Sequence, residues 1–147
     1  MDQSTVARWP KCWGLAAAII AMSTLAGCQQ GVGATATGVV SFNGKPAPAG
    51  ILVQFQPQAP NSSASLGVTD ATGRYELRFN ARTPGVMPGE SIVSLTIMSE
   101  PDATGKIVVP DALKGITIPP AYGERSQLRK RVSPGANSID IDVGAEN

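Results

Sequence analysis

Ser65-Leu66-Gly67-Val68-Thr69-Asp70-Ala71-Thr72-Gly73-Arg74-Tyr75-Glu76-Leu77-Arg78-Phe79 is the stretch on which the fold turns. Two alternating runs, 65–69 and 74–79, flank a four-residue break at Asp70–Gly73. In the second run Tyr75, Leu77 and Phe79 share one face, the period of a half-buried strand. The break reads as a turn. An aspartate side chain accepts from the backbone N–H groups that follow it, and glycine takes a positive φ at no steric cost. A calcium loop would need further carboxylate or amide oxygens at alternate positions, where Ala71 and Thr72 stand.

The same period extends outward along the chain. Gly38–Phe42 reads as a strand closed by the turn signal Asn43-Gly44. Ile51–Gln56 places Ile51, Val53 and Phe55 on one face. Ser91–Met98 does the same with Val93, Leu95 and Ile97, and Lys106–Val109 reads as a short edge strand. Gln127–Val132 and Ser138–Val143 read as a terminal hairpin around Pro134-Gly135-Ala136-Asn137. This makes about seven strands at the ~8–12 residue spacing of a sandwich. The expectation is an all-β domain, a seven-stranded antiparallel β-sandwich over residues 38–147.

The first 27 residues have a different character. Arg8 and Lys11 precede an uncharged, mostly apolar run from Cys12 to Gly27. A basic start, a short apolar stretch and small residues at its end are the layout of a secretory signal. A membrane span needs ~20 predominantly apolar residues, and this run, broken by glycine, serine and threonine, is too short. Leu25-Ala26-Gly27-Cys28 resembles the lipobox of bacterial lipoproteins. That resemblance implies cleavage before Cys28 and acylation of its sulfur, with palmitate-type chains holding the protein to a membrane. Each buried CH2 contributes ~0.8 kcal/mol, so two or three chains anchor far better than one. Gln29 stands where aspartate retains such proteins at the inner membrane, which favours the outer membrane of the cell envelope. Residues 28–37 are small and uncharged apart from the anchor, and read as a flexible tether.

Composition narrows the function. The chain has 147 residues, 12 Lys+Arg, 11 Asp+Glu and no histidine. A net charge of +1 makes no electrostatic case for nucleic acid. Without histidine there is no His-based triad, His general base or His metal site, and two cysteines are too few for an all-cysteine zinc site. No Ser-x-x-Lys or Gly-x-Ser-x-Gly motif is present. The reading is of no enzyme, no cofactor and no metal.

Several motifs then point to a family. Gly38-Val39-Val40-Ser41-Phe42-Asn43-Gly44-Lys45-Pro46 resembles the opening of carboxypeptidase regulatory-like domains, and Thr69–Leu77 resembles their T-D-x-x-G-x-Y-x-L signature. Pro88-Gly89 before Val93, Leu95 and Ile97 is similar to their P-G-x-Y-x-V-x-V strand, with Ser91 where an aromatic is usual. The closing Ile118–Tyr122 and Val132–Ile141 stretches are similar to small lipoproteins abundant in planctomycete bacteria. The resemblance implies a transthyretin-like (prealbumin-like) sandwich without catalytic activity.

One charge concentration stands out: Arg125, Arg129, Lys130 and Arg131. Two readings compete. The cluster is either a patch for an anionic partner, or a set of cross-strand pairs with Arg131 opposite Asp140 and Arg129 opposite Asp142. The alternation points Lys130 inward, which suits an edge strand. Tyr122 is either packed or an exposed platform for a sugar ring. The expected role is therefore a membrane-anchored envelope lipoprotein acting as a structural or protein-interaction module. A carbohydrate-binding module is the alternative.

Overall fold

The computed structural model describes residues 32–144. The leader, the lipobox and Cys28 lie outside the described residues. Eleven extended segments make the fold all-β: β1 (Ala34–Phe42), β2 (Lys45–Pro46), β3 (Ile51–Pro57), β4 (Ser65–Val68), β5 (Arg74–Glu76), β6 (Gly89–Ile97), β7 (Glu100–Pro101), β8 (Ile107–Val108), β9 (Arg129–Val132), β10 (Gly135–Ser138) and β11 (Ile141–Val143).

Two sheets build the body. In the first, β1 pairs antiparallel with β5 and β2 and parallel with β10 and β11. The second is antiparallel in the order β4-β3-β6-β9. Their inner faces meet in one hydrophobic cluster, in which Val40, Leu77 and Ile141 face Val53, Phe55 and Val93. Full burial of side chains this size contributes ~1.5–3 kcal/mol each. Across the gap the Phe55 and Tyr75 rings lie 6.3 Å apart, tilted by 37°. The chain joins the sheets directly beyond β5. The Leu77 N–H bonds the Ala36 carbonyl in the first sheet, and Arg78 exchanges both backbone bonds with Leu66 in the second.

The period-two faces follow the sequence: Ile51, Val53 and Phe55 are buried on β3, and Val93 and Leu95 on β6, where Ile97 is only partly buried and Ser91 joins the buried face. Four expectations need correction. First, β1 begins at Ala34, inside the stretch read as tether, because Ala34 and Ala36 are buried against Val86 and Leu77. Second, β7 and β8 form a separate two-stranded ribbon, so Ile107–Val108 is not an edge of the body. Third, the terminal hairpin does not exist. β9 lies on β6, whereas β10 and β11 cross to the other sheet and run parallel to β1. Fourth, it follows that the first sheet is mixed rather than antiparallel.

The Asn137 side chain explains the crossover. Its Nδ2 donates to the carbonyls of Ser133, Gly135 and Thr35, while its Oδ1 accepts from the Ser133 N–H. These bonds fix Ser133–Pro134 as a corner between sheets rather than a hairpin tip.

The molecule thus has two ends. At one lie the start of β1, Val86 beside it, the β6 start, and the β9–β10 corner, since Ala34 pairs with Gly135 and Val86, and Gly89 with Val132. At the other lie Asn43, Gly50, the Asp70 turn and the ribbon that follows Met98, whose N–H bonds the Gly50 carbonyl.

Candidate functional site

The basic residues at 129–131 sit on β9, an edge strand of the second sheet. Arg131 stands opposite Glu90 in the register with β6, Lys130 opposite Ser91, and Arg129 opposite Ile92. Alternation turns Arg129 and Arg131 to solvent, leaves Lys130 half-buried and buries Val132. The edge position read for Lys130 is therefore the observed one. Arg129, Lys130, Arg131 and Glu90 surround one shallow hollow.

The cross-strand pairing with Asp140 and Asp142 is overturned, because β9 and β11 belong to different sheets. Glu90 replaces those partners: its Oε1 accepts from Arg129 Nη1 at 3.3 Å. Both side chains are more than half exposed, so the pair contributes ~0–1 kcal/mol. One carboxylate faces three cations, and the hollow keeps a positive excess. Arg125 is exposed and does not line it. Nothing in the sequence alone singled out Glu90; its position two residues after Pro88 in the P-G strand motif was the available signal.

Asp140 and Asp142 work elsewhere. Asp140 Oδ1 accepts from the Val39 N–H at 2.8 Å, and Asp142 Oδ1 from Ser41 Oγ at 2.9 Å and the Gly44 N–H at 3.3 Å. Both fasten the last strand to the first. Between β10 and β11 the Ile139 carbonyl accepts from Tyr75 Oη at 2.6 Å. Burial, aided by the negative charge of Asp140, pushes the Tyr75 phenol well above its ordinary pKa of 10.0. Tyr75 is thus a core residue with its polar tip bonded.

The Asp70 turn has the predicted chemistry. Asp70 Oδ1 accepts from the Thr72 N–H at 2.8 Å, the Thr72 hydroxyl at 2.7 Å and the Arg74 N–H at 3.1 Å. The hydroxyl bond first, then the backbone bonds, hold its carboxyl below the usual value. Gly73 has φ +77°, and a Cβ there would stand 2.6 Å from the Val40 carbonyl oxygen. The turn recurs in Asp102-Ala103-Thr104-Gly105-Lys106, where Thr104 and Lys106 donate to Asp102 in the same pattern. It closes the β7–β8 ribbon, whose Ile107 is 64% exposed. Among the described residues no three Cys, Asp, Glu or His side chains converge as metal ligands.

Tyr122 is half-buried, packed against the core, and its carbonyl accepts from the Leu95 N–H at 2.7 Å. Nearby, Ser126 Oγ donates to the Val93 carbonyl. These bonds lash the 119–128 segment along β6.

No family model and no curated protein matches the chain. Four chains of solved structures match, two of which are the following. One is the dioxygenase domain of a dioxygenase carbohydrate-binding protein fusion from Streptomyces sp. SirexAA-E, with 18% identity and a TM-score of 0.37, covering 80% of this chain and 82% of that one. The other is a 9R-lipoxygenase from Cyanothece PCC8801, with 16% identity and a TM-score of 0.36 over 77% of this chain. The chain spans 17% of the length of that lipoxygenase.

Proposed function

We propose that the protein is a lipoprotein of the cell envelope, anchored through Cys28, whose all-β domain is a non-enzymatic structural or protein-interaction module. The observation that carries this reading is the lipobox Leu25-Ala26-Gly27-Cys28, set after a basic apolar leader and six residues before β1. The leader ends where an exported domain begins. Downstream of Cys28 the chain has no cysteine, so nothing competes with the anchor for thiol chemistry. Gln29 favours the outer membrane.

The domain is read as a variant of the carboxypeptidase regulatory-like sandwich. Support comes from where the motif residues sit. Gly38 lies opposite Tyr75 at the centre of β1, and Gly73 takes the left-handed conformation that the T-D-x-x-G-x-Y turn requires. The mixed first sheet is a feature of this chain beyond that motif. No specific observation favours the carbohydrate-binding alternative, since Tyr122, the candidate platform, is packed against the core.

The test is Cys28→Ser. The parent should fractionate with membranes and incorporate labelled palmitate, and the variant should do neither. Equal partitioning of both proteins, with no label on the parent, would refute the anchor.

A further inference from the structure

The anchor and the basic hollow lie at the same end of the domain. Only six residue steps separate Cys28 from Ala34. A chain advances at most ~3.6 Å per residue, so Ala34 stays within about 20 Å of the acylated sulfur. Ala34 is paired with Gly135, and Arg131 is four residues from Gly135. The hollow of Arg129, Lys130 and Arg131 therefore stands within reach of the bilayer surface whenever the anchor is inserted. The loop from Arg78 through Arg82 returns to Val86, also beside Ala34. Five of the ten basic residues downstream of Cys28 thus lie toward this end, with Glu90 the acid among them. The far end is mixed: Asp70, Glu100, Asp102, Asp111 and Asp142 stand there with Lys45, Arg74, Lys106 and Lys114, the last of these paired with Asp111.

We propose that Arg129, Lys130 and Arg131 form a second membrane contact that seats this end of the domain on anionic phospholipid headgroups. The proposal rests on the anchored-lipoprotein reading. Its physics is that of a lipid chain assisted by a basic patch. A cation near an anionic surface shifts the docked-to-free ratio about fivefold. Three cations less Glu90 leave two, which makes the ratio about 30-fold higher on an anionic than on a neutral bilayer. Docking fixes orientation: β1 rises from the membrane, and the Asp70 turn and the β7–β8 ribbon face away from it.

The experiment uses the full lipidated protein in vesicles of phosphatidylcholine, alone or mixed with phosphatidylglycerol. Ser133→Cys and Ala103→Cys place one dye at the near or the far end, Cys28 being blocked by its lipid. Energy transfer to a headgroup acceptor reports height. Transfer from position 133 should rise on the anionic vesicles and exceed that from position 103. It should fall back in 1 M salt, where the Debye length is ~3 Å. It should also fall in Arg129→Gln/Lys130→Gln/Arg131→Gln, checked for a wild-type melting curve. Should that variant unfold, the salt series on the parent decides. A protein that floats with both vesicle types but shows no dependence on composition or salt overturns the docking alone. A protein that floats with neither refutes the anchor, and the docking with it.

Discussion

Gly38→Ala should unfold the domain at a markedly lower temperature, for a reason specific to one atom. A Cβ at this position would overlap the Ile139 carbonyl oxygen and come within 3.1 Å of the Tyr75 ring. The backbone of Gly38 is otherwise ordinary, so the cost is contact rather than φ strain. To make room, the link between β10 and β11 must retreat. That retreat breaks three hydrogen bonds: Tyr75 Oη to Ile139 O (2.6 Å), Ile139 N to Thr37 O (2.8 Å) and Val39 N to Asp140 Oδ1 (2.8 Å). At about 1 kcal/mol net each, the loss is about 3 kcal/mol. A domain of about 110 residues has an unfolding entropy near 0.23 kcal/mol/K, so Tm should fall by about 13 °C. Far-UV circular dichroism melts of the detergent-solubilised protein read this directly. Gly123→Ala is the control, since its nearest neighbour would be 3.8 Å from the new methyl group. It should stay within about 0.5 kcal/mol of the parent. A Gly38→Ala protein melting within two or three degrees of the parent would refute the reasoning.

Two further perturbations follow from buried polar atoms. Ser65 Oγ and Ser91 Oγ are buried without a hydrogen-bond partner, so Ser65→Ala and Ser91→Ala should each stabilise by about 1 kcal/mol, raising Tm by about 4 °C. A fall in Tm for either would show that its hydroxyl is bonded in solution. Tyr75 supplies the pH dependence. Its folded pKa is raised and its unfolded pKa is near 10, so its contribution is intact below pH 10 and lost as pH rises beyond it. Denaturant melts from pH 9 to 11 should show an alkaline decline that Tyr75→Phe reduces, and identical declines would exclude Tyr75 as the cause.

Much of the fold was legible in the residues. β3 and β6 could be placed because their apolar side chains alternate cleanly, and the Asp70 turn because its side-chain chemistry is local; β4 turns Ser65 and Gly67 inward and leaves its apolar Leu66 and Val68 exposed. What alternation does not encode is the partner. Ser138–Val143 alternates whether it returns on β9 or crosses to β1, and Pro134-Gly135 looks like a hairpin tip in either case. The deciding contacts, Asn137 with Thr35 and Asp140 with Val39, span about a hundred residues and leave no periodic trace. The basic cluster was visible as composition, but its counter-charge was misassigned for the same reason. The start of β1 was missed because Ala34 and Ala36, small enough to fit beneath Val86, resemble linker residues. The second Asp-Ala-Thr-Gly turn was readable as a direct repeat of the first.

The parallel seating of the last strands on the first also governs how the domain meets force. β1 leaves its N-terminal end at one pole, and β11 finishes beside Phe42 at the other. Tension between the two termini therefore slides β1 along β10 and β11, loading all their cross-strand bonds at once. A hairpin at the same place would have been peeled open one bond at a time. A domain tethered by its first strand and pulled from its far side is arranged to resist as a clamp in shear.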